Sequence, residues 1–104
     1  MAQFDVYENE EPESREMIPF LLDVQHGLHA SLKTCTVVPL VAITSANDAV
    51  AKLCPCFNIA GKEVFMSTPE MAGYPSADLK IQISTLAGSR DEILAAIDFL
   101  LNGF

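Results

Sequence analysis

A chain of 104 residues with a formal net charge of −8, half of them hydrophobic, is expected to form one domain with enough apolar material for a modest core. The negative balance argues against direct binding to nucleic acid, because a surface that repels phosphates gains nothing from counterion release. No stretch approaches the roughly twenty apolar residues of a membrane span, and the start carries no basic region followed by an apolar run, so a cytoplasmic protein with no membrane partner is expected.

In chain order, residues 3–7 are predicted as a first strand, with Phe4 and Val6 on one face and Asp5 and Tyr7 on the other. Asp5, Glu8, Glu10, Glu11, Glu13 and Glu16 crowd the first sixteen positions against Arg15 alone, and the chain turns around Pro12. This segment reads either as a solvated, flexible hairpin loop or as a docking surface for a basic partner. Residues 20–25 form a second predicted strand and 36–40 a third, where Pro39 suggests an edge position or a bulge. Residues 45–53 are ambiguous: Ala46, Ala49, Val50 and Leu53 suit a short helix, but the flanking segments suit strands. Residues 57–59 and 63–67 flank Ala60-Gly61-Lys62, where glycine supplies the turn of a hairpin. Residues 79–84 alternate cleanly, which predicts Leu79, Ile81 and Ile83 inward and Lys80, Gln82 and Ser84 outward.

Residues 89–104 close the chain as a predicted amphipathic helix. Ser89 and Glu92 have the spacing of a capping box, and Asp91 suits the positive helix end. Ile93, Leu94, Ala96, Ile97, Leu100 and Leu101 gather on one face, which predicts that face buried. Phe99 falls with the polar set, and Gly103 fits the helix stop. Asp98, Phe99, Asn102 and Phe104 are the residues the core does not require, and an aromatic on a polar face is a partner-contact signal. A run of short strands closed by one helix implies a small, strongly bent sheet or barrel whose open side the helix covers.

No cofactor, metal or catalytic residue is predicted. Cys35, Cys54 and Cys56 are odd in number and do not form a disulfide framework. Cys54-Pro55-Cys56 with His26 and His29 lacks the usual zinc spacing, and no motif ties one thiol to one base, so buried, reduced thiols are expected. Asp23 and His26, three apart across a strand end, are expected to face different directions. Glycine-rich phosphate loops, His-Glu-x-x-His and Gly-x-Ser-x-Gly are all missing.

The order of the segments resembles the CcdB family of toxins from bacterial toxin–antitoxin pairs. The resemblance is carried by Gln3-Phe4-Asp5-Val6-Tyr7, by Leu22-Asp23-Val24-Gln25, by Val37-Val38-Pro39-Leu40, and by the tail Ala96-Ile97-Asp98-Phe99-Leu100-Leu101-Asn102-Gly103-Phe104. Leu53-Cys54-Pro55 and Thr68-Pro69-Glu70-Met71-Ala72 fall between them in the right order, so the match covers essentially the whole chain.

The resemblance implies a mostly β protein: an SH3-like barrel of antiparallel strands with a C-terminal α-helix, assembled as a homodimer. It implies a toxin that is not itself an enzyme, binds the A subunit of DNA gyrase and traps gyrase on cleaved DNA. It further implies a CcdA-like antitoxin whose disordered tail folds onto the toxin. Together the pair is expected to repress its own operon, with DNA contacted only indirectly, through the antitoxin. The family's gyrase-contacting tail of tryptophan, glycine and a bulky apolar residue matches Asn102, Gly103 and Phe104, so glycine and the apolar end are kept and the tryptophan is not. Asp98, Phe99 and Leu101 share that tail, and Leu28 and His29 follow the Asp-Val-Gln strand where the family adds an apolar contribution. With the tryptophan replaced, the alternative is a family member that keeps the fold and the antitoxin but has a weakened or altered target, such as topoisomerase IV.

Overall fold

The computed structural model describes residues 2–44 and 52–103. Among these, the strands are β1 (Asp5–Glu8), β2 (Phe20–Asp23), β3 (Thr34–Ala42), β4 (Cys56–Ile59), β5 (Lys62–Met66), β6 (Ala72–Pro75) and β7 (Gln82–Thr85), and the helix is α1 (Arg90–Asn102). Every pairing is antiparallel, in the order β4-β5-β3-β2-β1-β7 with β6 beside β3. The sheet curls into a half-barrel and α1 packs into its open side, which is the SH3-like barrel with a C-terminal helix that the sequence predicts. Of the ambiguous segment 45–53, residues 45–51 lie outside the described residues.

Period-two alternation divides the buried side chains between two faces. Phe4, Val6, Leu22, Val38 and Leu40 enter the main core with Ile59, Val64, Met66, Ile93 and Ala96. Their neighbours Tyr7, Leu21 and Val37 join Cys35 and Leu79 in a smaller cluster on the opposite face. The centre of the sheet is thus covered on both sides, and each fully buried Leu, Ile or Val contributes roughly 1.5 to 3 kcal/mol.

The nine-residue β3 makes the curl possible by serving three neighbours. One edge pairs with β2; the other pairs with β6 at residues 34–37 and with β5 at residues 40–42. Pro39 sits in the strand interior between those two partners, not at a sheet edge or bulge as its type suggests. Its carbonyl accepts from the Ser67 N–H at 2.9 Å, so its nitrogen faces the same side, just past the last β5 pair at Leu40, where regular pairing has already ended.

Two further expectations are corrected. Leu79 is buried and Lys80 and Gln82 are exposed as read from 79–84, but Ile81 and Ile83 are exposed and Ser84 is half-buried. The cause is position: β7 pairs only with β1, so it is an edge strand with one apolar face left open. Ser89 makes no side-chain cap. The 3-10 turn Ala87–Ser89 runs straight into α1, which leaves Ser89 at φ −109° and ψ 22° rather than in the extended geometry of a capping residue.

The β4–β5 hairpin forms as predicted, through a two-residue turn in which Ala60 (φ 51°) and Gly61 (φ 86°) are both left-handed. Phe4 also takes a positive φ, 73°, which costs a bulky residue about 1 to 2 kcal/mol. That turn lets Phe4 donate to Asp23 O at 2.6 Å and accept from Leu86 N at 2.8 Å, so one buried residue joins the end of β2 to the entry of the helix.

Candidate functional site at the helix end

α1 emerges from the main core with its first two turns anchored and its last turn free. Ile93 and Ala96 are fully buried, and Leu94 and Ile97 pack against the core while half-buried. One turn later the same apolar stripe leaves the barrel: Leu100 is 37% exposed and Leu101 67% exposed. The prediction that the whole stripe is buried therefore holds for its first half only. The stripe spans more than two turns, about 12 Å of helix from Ile93 to Leu101, and that length was the available signal that the core does not cover it all.

Phe99 is also corrected: it is half-buried, with the Lys52 ammonium 4.8 Å from its ring centre, and not a free aromatic on the polar face. Nothing in the sequence pairs Lys52 with it. Asp98 and Asn102 are exposed, as is Gly103. Gly103 stops the helix as predicted, at φ 80° with its N–H donating to Phe99 O at 2.9 Å. Phe104 lies outside the described residues.

A helix C-terminus carries partial negative charge. The last turn of α1 holds no basic residue, and Asp98 has no ion pair among the described residues. The tip is an apolar surface of Leu100 and Leu101 beside Asp98, with the Lys52 ammonium over Phe99 as the positive charge at hand.

Leu28 and His29 lie in the 3-10 turn Gly27–His29, which buries no residue; Leu28 is 79% exposed. His26 Nδ1 accepts from Leu28 N at 3.0 Å. Gln25 holds the segment in place: its Nε2 donates to His29 O at 3.0 Å and its Oε1 accepts from Thr36 N at 3.1 Å. The Gln25 side chain is a positioning group that no spacing in the sequence identifies. This segment is tied to the start of α1, because Gln3 donates to Val24 O at 3.2 Å and accepts from Arg90 at 3.2 Å.

Two of the three thiols are buried, and both imidazoles are exposed. Cys35 and Cys54 are buried, whereas Cys56 is exposed. Burial and the adjoining Asp23 carboxylate push the Cys35 thiol up to about 12, so it stays protonated at neutral pH and is no nucleophile. Asp23, His26 and Cys35 border a cavity of about 10 Å³, room for a single water, while the Asp23 carboxylate accepts from Gln25 N and the His26 imidazole from Leu28 N. Among the described residues no group of three or more potential metal ligands comes together, and no helix is long and apolar enough to cross a membrane.

Residues 3–103 match the family model described as CcdB protein. No curated protein matches the chain.

Proposed function

The chain belongs to the CcdB family, toxins of toxin–antitoxin systems, and from that membership we propose that it acts as a homodimer on the A subunit of DNA gyrase. In this reading it traps gyrase on cleaved DNA, performs no chemistry itself, and is neutralised by a CcdA-like antitoxin. The observation that carries the reading is the helix end: Leu100 and Leu101 continue an apolar stripe one turn past the core that needs it. Leucines held rigid by Ile93 and Ala96 cost little conformational entropy on binding, and Asp98 selects a partner surface with a basic group beside an apolar hollow. Ile83, exposed on the edge strand β7, and Ile81, exposed just before it, supply apolar surface for a second copy to cover. A dimer would present two such tips to a two-fold partner.

The test is a gyrase cleavage assay with purified protein. Linear DNA accumulating after detergent and protease treatment is the expected result, and none at a large molar excess over gyrase rejects the reading. Asn102 is the observation that favours a second reading, an altered target such as topoisomerase IV, since the resembled tail has tryptophan there. Asn102→Trp is expected to strengthen gyrase inhibition, by roughly thirty- to a thousandfold in affinity if that position is a hot spot worth about 2 to 4 kcal/mol. Unchanged or weaker inhibition, with stronger trapping of topoisomerase IV, would favour the altered target.

A further inference from the structure

We propose that the turn Gly27–His29 is a proton-sensitive switch: His26 holds Leu28 in place while its imidazole is neutral and releases it when the ring takes up a proton. The bond that carries this is the one from Leu28 N–H to His26 Nδ1, 3.0 Å long, in which the histidine side chain caps the start of the turn. A backbone amide can only donate, so Nδ1 is the bare nitrogen of the ring and Nε2 carries the hydrogen. The next proton goes to Nδ1, the same atom that accepts from Leu28, and both ring nitrogens are then donors. The cap does not survive protonation.

The other bonds of the segment do not titrate. The Gln25 amide donates to His29 O and accepts from Thr36 N, and it carries no charge at any pH. His29 N–H donates to His26 O at 2.9 Å and Ala30 N–H to Gly27 O at 3.1 Å, backbone bonds equally indifferent to acid. His26 is thus a titratable link in a turn otherwise held by neutral groups. The residue it controls is Leu28, 79% exposed.

Neither titratable neighbour takes over the cap. Asp23, at the end of β2, and Cys35, in β3, border the small cavity with His26; Ser76, just after β6, is a neutral group on the same cavity, and His29 lies on the turn itself. The Cys35 thiol, pushed up to about 12, stays uncharged throughout the range in which histidines titrate. Asp23 is 2% exposed, and its Oδ1 is already engaged by Gln25 N at 2.9 Å. Under the toxin reading Leu28 belongs to the target-facing surface, so the hold on the target weakens as the pH falls; that consequence alone rests on the reading.

The experiment follows the backbone amides of the full chain by NMR between about pH 7.5 and about pH 5, the window in which histidines change charge. Protection of the Leu28 amide from exchange, relative to its free-peptide rate, is expected to fall at least about twofold toward the acid end, while Thr36 keeps its protection. His26→Asn supplies a capping acceptor that does not titrate, and is expected to protect Leu28 equally at both ends. His29→Ala and Asp23→Asn are expected to keep the response of the parent chain. Equal protection of Leu28 across the range in the parent, or a response that persists in His26→Asn, overturns the switch. So does a response lost in His29→Ala or Asp23→Asn, which would place the titrating group elsewhere, or a loss shared by Leu28 and Thr36, which would mean a general loosening. Unchanged amides along α1 verify the fold of each variant. No target is present, so the switch stands or falls apart from the toxin reading.

Discussion

The end of α1 and the acidic turn before β2 are both exposed surfaces held rigid from below, but by different means. The helix end is held by apolar burial, through Ile93 and Ala96, which is non-directional and spread over many contacts. The acidic turn is held by one buried amide, Asn9, whose geometry fixes three bonds. Burial leaves a signature in the sequence because it needs a period, whereas a single anchoring amide leaves none. The two surfaces also differ in what they expose, leucines in one case and carboxylates in the other.

The largest expected effect separates anchor from tip within the helix. Ile93→Ala should cost about 2 to 5 kcal/mol of stability, while Leu101→Ala should stay within about 0.5 kcal/mol yet weaken gyrase trapping. Thermal or urea unfolding measures the first quantity, and equal costs at both positions would mean the tip is part of the core. Next, Asn9→Ala should cost about 1 to 3 kcal/mol, because it strands the Ile18 carbonyl and the Glu11 amide. Its effect should concentrate in faster amide exchange across residues 10–17, leaving α1 protected; a change spread evenly over the chain would break the contrast.

The smallest effect concerns Asp23, whose carboxylate accepts from the backbone of Gln25, the residue that holds the turn Gly27–His29. The Asp23 carboxyl is pushed above its usual range, chiefly by burial, although the Cys35 thiol and the Gln25 N–H pull it back. A raised folded value means that the stabilisation from protonating Asp23 is fully present below its unfolded value, near 4, and is lost as pH rises through the folded one. Asp23→Asn should therefore compare more favourably with the parent at pH 7 than at about pH 4, as read from melting temperatures. A difference of opposite sign would mean that the ionised carboxylate is the better-held form.

How much of this was legible depends on the kind of force. The places of β1, β2, β3 and the β4–β5 hairpin could be read from apolar runs and turn residues, although Gln3 and Phe4, read as the start of β1, form a turn before it. β6 was missed: Ala72, Gly73, Tyr74 and Pro75 have the composition of a turn, and only pairing with residues 34–37 of β3 orders them. Ile81 and Ile83 show that an alternating pattern reports an apolar face without saying whether the same chain covers it. Leu100 and Leu101 teach the same about a helix stripe. Within the candidate site, Asp98, Asn102 and Gly103 were legible as outward residues, but the Lys52–Phe99 contact and the Gln25 clamp depend on side chains brought together from afar.

Pro39 has a consequence for how β3 divides one edge between two neighbours. Ser67, the residue after β5, lies opposite Pro39 and donates to its carbonyl, but the return bond is missing because the proline nitrogen has no hydrogen to give. β6 in turn ends its pairing at Val37, two residues short of the proline. One residue without a donor thus marks where the first neighbour of β3 gives way to the second.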